Sequence, residues 1–272
     1  MKLKPLKRFG QNYLTDPNIL NKIITEISPK NEENIIEVGP GKGSLTGKLL
    51  EKVNSVIAIE IDKRVREELS EKFPRLKLIT GDFLETDLND LFSINNKKLR
   101  VVGNIPYNIT SPILFKLIEN NNLVNDSVLM VQYEVAKRIK GKKGTKDYGI
   151  LSVLLNFFAD VKFCFKVSPS SFYPKPNVDS AVVHLFFSER PRLKSGKEIN
   201  ITGEMKSNFI KVVKASFGNR RKTLKNSLSN SIFMNIDFEN SGIDLTKRAE
   251  QLDIEDFLKL TEFVQKREMK DK

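Results

Sequence analysis

The chain has 272 residues, 39% of them hydrophobic, so it can bury a core as one large domain or as a large and a small one. Its 46 Lys and Arg against 34 Asp and Glu give a formal charge of +12, which favours nucleic acid over an anionic membrane surface as partner. One cysteine and one histidine exclude an internal disulfide and a Cys/His metal cage. Without a long apolar run or a secretory signal pattern, we expect a cytoplasmic protein that needs no membrane and no metal.

Apolar runs rich in Ile and Val recur along the first half of the chain, as the buried strands of a parallel sheet do. They span residues 34–38, 55–60, 76–80, 99–103 and 126–133. Segments of helical period lie between them, at 44–53, 63–73 and 111–119. This alternation predicts a doubly wound α/β sheet.

Two further apolar runs, 161–167 and 179–187, are separated by a proline-rich stretch that is too short for a crossover helix. We therefore predict an antiparallel hairpin at one end of the sheet. After residue 190 the β pattern stops, and Lys-, Ser- and Asn-rich segments of helical spacing follow. The sequence predicts an α/β domain over 1–190 and a smaller, helical, basic domain over 191–272.

A glycine-rich turn, Glu37–Gly43, follows the first predicted strand, and Gly39 and Gly41 would let a ligand approach the backbone closely. Glu60 ends the second strand, where a carboxylate can accept hydrogen bonds from both hydroxyls of a ribose. Asp82 follows the third strand and can either accept a hydrogen bond from an adenine amino group or cap the next turn. This set favours a cofactor that contains adenosine.

The fourth strand ends in Asn104-Ile105-Pro106-Tyr107. An adenine amine is a poor nucleophile because its lone pair is delocalised into the ring. The Asn104 amide oxygen and the Ile105 carbonyl can each accept one N–H of such an amine and orient its lone pair at a sulfonium methyl, while Pro106 stiffens the turn. Tyr107 can stack on the base and favour the positive charge that develops there. These four residues predict methyl transfer from S-adenosylmethionine.

An adenine in RNA must be unstacked to reach such a site, and its second face is usually covered by an aromatic or apolar group. Phe172 is our candidate for this face. The neighbouring Tyr173 is its rival, and a buried core position remains an alternative for either ring.

Three basic clusters favour RNA as the partner, although each alone could be a solvated face. They lie at the beginning of the chain, in the glycine-containing segment 137–146, and within 206–225. The residues that we assign to RNA contacts are Lys7, Arg8, Arg138, Lys142, Lys143, Lys146, Arg220, Arg221 and Lys222.

With these motifs in hand, the sequence resembles the KsgA-type ribosomal RNA adenine dimethyltransferases over nearly its whole length. The segments that carry the resemblance are Lys7–Leu14, Glu37–Gly43, Gly81–Phe83, Asn104–Ile109, Tyr148–Val153, Phe172–Ser180 and Arg220–Leu224. The resemblance implies a Rossmann-like, seven-stranded methyltransferase sheet.

It also implies the residues that contact S-adenosylmethionine, namely Asn12, Leu14, Gly39, Glu60, Asp82 and Asn104. The segment before the first helix would then fold over the cofactor. The implied reaction is the dimethylation of two adjacent adenosines in a hairpin near the 3′ end of 16S rRNA, during biogenesis of the small ribosomal subunit. We expect a monomer that acts on this subunit.

Three alternatives remain open. The antibiotic-resistance enzymes that dimethylate an adenine of large-subunit rRNA share the glycine loop and the Asn104–Tyr107 motif, but the extended second domain and the segment Val178–Val183 favour the small subunit. The protein could instead act mainly as an RNA-binding assembly checkpoint whose methylation is incidental. A nicotinamide oxidoreductase is disfavoured by Ser44, which replaces the last glycine of the dinucleotide fingerprint.

Overall fold

The computed structural model describes residues 10–189, 191, 193, 196, 198–201 and 203–269. The chain divides into two compact units, the first formed by residues 1–136 and 160–187 and the second by residues 137–159 and 188–272. Within the described ranges, none of the helices combines the length and apolar character needed to cross a membrane.

A seven-stranded sheet dominates the first unit, and a two-stranded ribbon accompanies it. The strands are β1 (Tyr13–Leu14), β2 (Asn34–Val38), β3 (Val56–Glu60), β4 (Leu76–Thr80), β5 (Leu99–Asn104), β6 (Val124–Gln132), β7 (Ala159–Val167), β8 (Phe172–Tyr173) and β9 (Ser180–Phe187). The large sheet has the order β4-β3-β2-β5-β6-β9-β7, and β1 pairs antiparallel with β8. All seven predicted apolar runs are strands of the large sheet.

Strands β2 to β6 are parallel, because each connection between them contains a helix, whereas β9 runs antiparallel to β6. Ser188, just after β9, donates its N–H to the carbonyl of Phe158, just before β7, at 3.0 Å. The end of β9 therefore lies beside the start of β7, as in the predicted antiparallel hairpin. The strand order reverses at β2, and ligands of such sheets bind beyond the carboxyl ends of the strands at this point.

The helices are α1 (Pro17–Ile27), α2 (Ser44–Leu50), α3 (Arg66–Lys72), α4 (Leu88–Ser93), α5 (Thr110–Glu119), α6 (Tyr133–Ile139), α7 (Ile150–Phe158), α8 (Gly203–Ser216), α9 (Leu224–Ser229) and α10 (Ile254–Glu268). Asp16 begins α1 by accepting the N–H groups of Asn18 and Ile19, and Pro17 occupies the first turn, where its missing N–H costs nothing. The apolar face of α1 joins α2, α3 and the sheet in one core cluster.

A buried ionic network joins strands β5, β6 and β9 to α1. Arg100 donates through two nitrogens to the Asp126 carboxylate, both at 2.7 Å. The two ring nitrogens of His184 lie 2.7 Å from carboxylate oxygens of Asp126 and Glu26. Arg100 and Asp126 stand near the starts of β5 and β6, so this network secures the edge of the sheet away from the carboxyl ends.

The second unit has an aromatic core. The rings of Phe157 and Phe158 lie 4.6 and 6.0 Å from that of Phe209, and the Phe217 ring lies 5.9 Å from that of Phe257. This packing groups α7 with the helices that follow residue 188. The expected single division near residue 190 is therefore incomplete, because residues 137–159 belong to the second unit. Aromatic contacts across so many residues leave no local signal in the sequence.

Candidate active site

A cavity of about 340 Å³ opens at the carboxyl ends of β2, β3, β4 and β5. It is lined by parts of the segments 10–14, 37–45, 59–61, 81–83 and 103–109. Its size is that of an ordinary small-molecule site. The turns that were predicted from separate strands therefore meet at one place.

The glycine loop leaves this cavity open. Gly39 has a φ of +65°, and a Cβ at this position would meet no atom within 4 Å. Gly41 has a φ of +56°, and its Cβ would lie 2.8 Å from Cε1 of Tyr13. Gly39 thus leaves space for a ligand, whereas Gly41 allows the Tyr13 ring to pack on the backbone.

Glu60 is buried and fastens the glycine loop to the end of β3. One of its carboxylate oxygens accepts the N–H of Gly41 at 3.0 Å, and the other accepts the N–H of Asp62 at 2.9 Å. Burial raises the pKa of the Glu60 carboxyl, although these two donors act in the opposite direction. Each carboxylate oxygen has a second lone pair, so the group can hold the loop and also accept a hydrogen bond from a ligand.

Glu37, the first residue of the glycine motif, also lines the cavity, yet the sequence assigned it no role. It is 2% exposed and accepts a hydrogen bond of 2.6 Å from the Thr46 hydroxyl. Burial raises its pKa to about 7, with a further increase from the charge of Glu60 and an opposing effect of Thr46. A carboxylate among the apolar residues of a buried strand was the signal that could have identified it.

Asp82 lines the cavity beyond β4 and caps the following turn. Its Oδ1 accepts the N–H of Leu84 at 2.8 Å. Of the two predicted roles, capping is therefore present. The role in binding adenine remains compatible with it, because a carboxylate has a second oxygen and capping uses one.

Asn104 points its amide nitrogen at the N-terminal segment. The nitrogen donates to the carbonyl oxygen of Asn12 at 2.7 Å. A carbonyl oxygen can only accept, so this contact fixes the amide orientation and leaves the Asn104 oxygen as an acceptor. Both residues line the cavity.

The rest of the motif is held from β6 and β9. The N–H of Ile105 donates to Met130 at 3.1 Å, and the N–H of Ile109 donates to the carbonyl of Pro106 at 3.1 Å. The hydroxyl of Tyr107 lies 2.7 Å from that of Ser180, the first residue of β9. Burial raises the pKa of the Tyr107 hydroxyl, against the effect of Ser180 and with that of Asp179. The ring is therefore fixed at its outer end while it lines the cavity.

The segment before α1 closes one side of the cavity. Tyr13 and Leu14 form β1 and pair with β8, and the N–H of Thr15 donates to Ser171 at 2.9 Å. Gln11 donates to the Asp62 carboxylate at 3.2 Å. Asn12 and Leu14 were placed at the site only through the family resemblance, and both line the cavity.

The structure does not support the prediction that Phe172 stacks on the base. Its ring is 3% exposed and belongs to the core cluster. Successive side chains of a strand point to opposite faces, so in β8 the Phe172 side chain points inward and that of Tyr173 outward, where it is 64% exposed. The alternative of a core position holds for Phe172.

The residues predicted to contact RNA differ in their surroundings. Lys7 and Arg8 lie outside the described residues. The Arg220 guanidinium donates to the carbonyls of Lys146 and Tyr148 at 2.9 and 3.0 Å and lies 3.3 Å from the Glu250 carboxylate. Lys143 pairs with Asp253 at 2.5 Å.

Arg220 thus connects parts of the second unit, and its assignment as a simple phosphate contact needs correction. The remaining residues of this prediction are exposed and lie in the second unit, namely Arg138, Lys142, Lys146, Arg221 and Lys222.

The chain is similar to known proteins over most of its length. Residues 3–266 match the family model described as ribosomal RNA adenine dimethylase. A protein of Chlorobium phaeobacteroides strain BS1, named ribosomal RNA small subunit methyltransferase A, is 41% identical over 93% of this chain and 91% of its own length. A protein of the same name from Francisella tularensis subsp. novicida is 38% identical over 97% and 98%.

Two solved structures share the fold over most of the chain. A dimethyladenosine transferase from Plasmodium falciparum has a TM-score of 0.73 and 29% identity, and covers 93% of this chain and 98% of its own. The 23S rRNA methyltransferase ErmE has a TM-score of 0.64 and 25% identity, with coverage of 93% and 100%. The predicted Rossmann-like methyltransferase sheet is confirmed, and the chain belongs to the ribosomal RNA adenine dimethylase family.

Proposed function

We propose that this enzyme transfers methyl groups from S-adenosylmethionine to the N6 amines of two adjacent adenosines in a hairpin near the 3′ end of 16S rRNA. The observation that carries the proposal is the orientation of Asn104. One N–H of its amide donates to the Asn12 carbonyl, which fixes the orientation of the amide and leaves its oxygen available as the acceptor that an amine with two N–H groups requires.

The cavity fits the methyl donor in size and chemistry. The open space at Gly39 allows a nucleoside to approach the loop, and Glu60 offers carboxylate lone pairs suited to ribose hydroxyls. Asp82 is suited to the adenine amine, and Asn12, Leu14 and Gly41 also line the cavity. When bound, S-adenosylmethionine supplies a methyl group on a positively charged sulfur, which makes the transfer favourable without a strong base.

The chain's own residues bind and orient the target amine. The oxygen of Asn104 and the carbonyl of Ile105 would each accept one N–H, so that the nitrogen lone pair is presented to the methyl group. The released proton can leave to water, which suits a cavity with no histidine among its described lining residues.

Tyr107 would stack on the target base. Its hydroxyl is held by Ser180, so little rotational freedom remains to be lost when the base binds. The ring face also favours positive charge on the adenine as the new bond forms. Asn104 to Tyr107 are therefore proposed as the catalytic residues.

The RNA target and the cellular setting are further parts of the proposal. The two curated relatives that share about 40% identity are named for the small ribosomal subunit, which supports 16S rRNA as substrate and a role in subunit biogenesis. We propose that the second unit supplies phosphate contacts through its exposed basic residues. The enzyme would act as a monomer in the cytoplasm.

Methylation of purified ribosomal subunits tests this function. Unmethylated small and large subunits are incubated separately with the enzyme and radiolabelled S-adenosylmethionine, and the modified nucleotides are located by mass spectrometry. We expect N6-dimethyladenosine at two adjacent positions of small-subunit rRNA. Label confined to the large subunit would support the alternative activity named for ErmE, and no label in either would reject both.

A further inference from the structure

A second cavity in the first unit lies one strand further along the carboxyl edge of the sheet. It has a volume of about 390 Å³ and is lined by residues 132–134, residues 177–179 and Pro169. It forms here because β6 ends at Gln132 and the antiparallel β9 begins at the same edge with Ser180. None of these lining residues belongs to the first cavity.

The two cavities are linked by a short chain of contacts. Ser180 is paired with Gln132 in the β6–β9 ladder, and its hydroxyl contacts that of Tyr107. The N–H of Tyr133 donates to the carbonyl of Asp179 at 2.9 Å. Paired residues of antiparallel strands have Cα atoms about 4.5–5.5 Å apart. Neighbouring nucleotides are about 3.4 Å apart when stacked and further apart when splayed.

The lining of the second cavity is suited to a nucleobase. Tyr133 supplies an aromatic ring, and Pro169 and the 46% exposed Val178 supply apolar surface. The Phe163 ring packs edge-to-face with that of Tyr133 at 6.1 Å, and the Lys166 ammonium lies over the Tyr133 ring, 4.9 Å from its centroid, so a base would stack on the opposite face. Unstacked RNA bases bind to such surfaces by stacking, and their edges form hydrogen bonds.

The polar groups of this cavity favour a base that carries an amino group. Gln132 offers an amide, and Glu134 and Asp179 offer carboxylates. Lys166 pairs with Asp179 at 2.7 Å, which orients that carboxylate. Carboxylates accept N–H groups and repel phosphate, so an amino-bearing base suits this position better than the RNA backbone does.

We propose that this second cavity binds the base of the nucleotide next to the adenine held at Asn104. The inference rests on the proposed function, because both bases belong to one RNA substrate. Tyr133 stacks on the neighbouring base, and the oxygens of Gln132 and Asp179 accept its amino group. Adenine is preferred there, which would make the enzyme selective for paired adenosines.

Substitutions in the cavity give the first test. In full-length enzyme acting on unmethylated small subunits, Tyr133→Ala should lower kcat/KM for the subunit roughly 10-fold, the scale of one lost base stack. Tyr133→Phe keeps the ring and should retain most of the activity. Val178→Asp adds a charge at an exposed position and should lower kcat/KM without lowering Tm. The matched control is Phe186→Ala, an exposed aromatic near the other end of β9 that lines neither cavity, and the KM for S-adenosylmethionine should stay constant throughout.

Subunits in which either the 5′ or the 3′ adenosine is replaced by uridine give the decisive test, because one cavity holds a neighbour on only one side of the target. In one of these two substituted subunits, methylation of the remaining adenosine by the wild-type enzyme should slow roughly 10-fold, and the Tyr133→Ala enzyme should lose little more, since the contact is already missing. The inference would be overturned if the uridine substitution slowed the wild-type and the Tyr133→Ala enzymes by the same factor, or if Tyr133→Ala had full activity on normal subunits. Either result would leave the proposed function intact. A wild-type enzyme that methylates no small subunit would overturn both.

Discussion

Asn104 shows how one backbone contact can determine the chemistry of a site. Asparagine offers two N–H donors and an acceptor oxygen, and an amine that must be held by its two N–H groups needs acceptors. The carbonyl of Asn12 accepts one N–H of the Asn104 amide, which fixes the amide orientation and leaves its oxygen available to the substrate. The sequence pointed to this side chain, which lines the cavity, but it could not predict which residue orients it.

Replacement of Asn104 should therefore separate catalysis from binding. Asn104→Ala removes an acceptor for the amine and should lower kcat about 100-fold or more, the scale of losing one preorganised hydrogen bond. Sedimentation with unmethylated small subunits should show nearly unchanged binding. Asn89→Ala, an exposed asparagine of α4, is the control.

The same variant addresses the assembly-checkpoint alternative. If Asn104→Ala cells mature their subunits normally while cells with Arg221 and Lys222 replaced do not, binding rather than methylation is the essential activity. A variant that loses binding together with catalysis would instead contradict the positioning role given to Asn104.

Glu37 should make stability depend on pH in the neutral range. Its pKa is about 7 in the folded protein, above the ordinary value of 4.5, so the folded state binds the proton more tightly than the unfolded state does. This contribution to stability is complete below pH 4.5 and is lost as the pH rises through 7. The loss amounts to about 3 kcal/mol for this shift.

Glu37→Gln should remove this dependence while keeping an acceptor for the Thr46 hydroxyl. Relative to wild type, the free energy of unfolding of the variant should rise between pH 5 and pH 8, as measured by urea denaturation. Glu32→Gln, which changes an exposed carboxylate, should show no such rise. A constant difference between variant and wild type across this range would show that Glu37 titrates normally.

The glycine loop offers a matched pair of substitutions at the element scale. Gly39→Ala and Gly41→Ala both place a side chain at positive φ and should share a cost of about 1–2 kcal/mol. The added Cβ of Gly39→Ala enters the cavity, so calorimetry should show at least 10-fold weaker binding of S-adenosylmethionine. The added Cβ of Gly41→Ala meets the Tyr13 ring, so this variant should have a lower Tm than Gly39→Ala. Equal effects of both variants on binding and Tm would contradict this assignment.

The large sheet was predictable because its central strands are buried. Runs such as 34–38 and 99–103 alternate with helical segments, and the observed strands begin and end within two residues of the predicted limits. Both faces of a central parallel strand need apolar side chains, which makes the pattern strong.

The two-residue strands β1 and β8 were not predictable, because so short a strand shows no alternation. For the same reason the sequence could not decide which of Phe172 and Tyr173 faces the core. Asn12 and Leu14 entered the site through resemblance alone, since their contacts depend on pairing with a segment far along the chain.

At the scale of the whole molecule, the basic cluster within residues 206–225 contains both a cation bound within the fold and cations that are exposed. Arg220 bridges the loop carbonyls of Lys146 and Tyr148, whereas Arg221 and Lys222 are exposed. Density of charge predicts an interaction surface, but it cannot show which cations are committed to the fold. The same limit applied to the domain boundary, where aromatic packing joins residues 137–159 to the second unit.

These two kinds of cation should respond differently to replacement. Arg220→Ala should weaken hydrogen-exchange protection around residues 146–148, because three acceptors lose their donor. The double variant Arg221→Ala, Lys222→Ala should preserve that protection and reduce the salt dependence of subunit binding by roughly 1 to 2 units of slope, as two lost phosphate contacts would. If the double variant lost hydrogen-exchange protection but kept the salt dependence of subunit binding, Arg221 and Lys222 would be structural residues like Arg220, and the distinction between the two kinds of cation would be wrong.

The pairing of β1 with β8 also dictates when during synthesis the enzyme becomes competent. With the exception of Val182, the cavity-lining residues in the described part of the chain precede Gln132, so a nascent chain displays nearly the whole site early. Yet Tyr13 and Leu14 find their partners only when Phe172 and Tyr173 have left the ribosome. Until then the segment that carries the Asn12 carbonyl lacks its support from β8, so we expect a polypeptide that already carries the four proposed catalytic residues to be inactive.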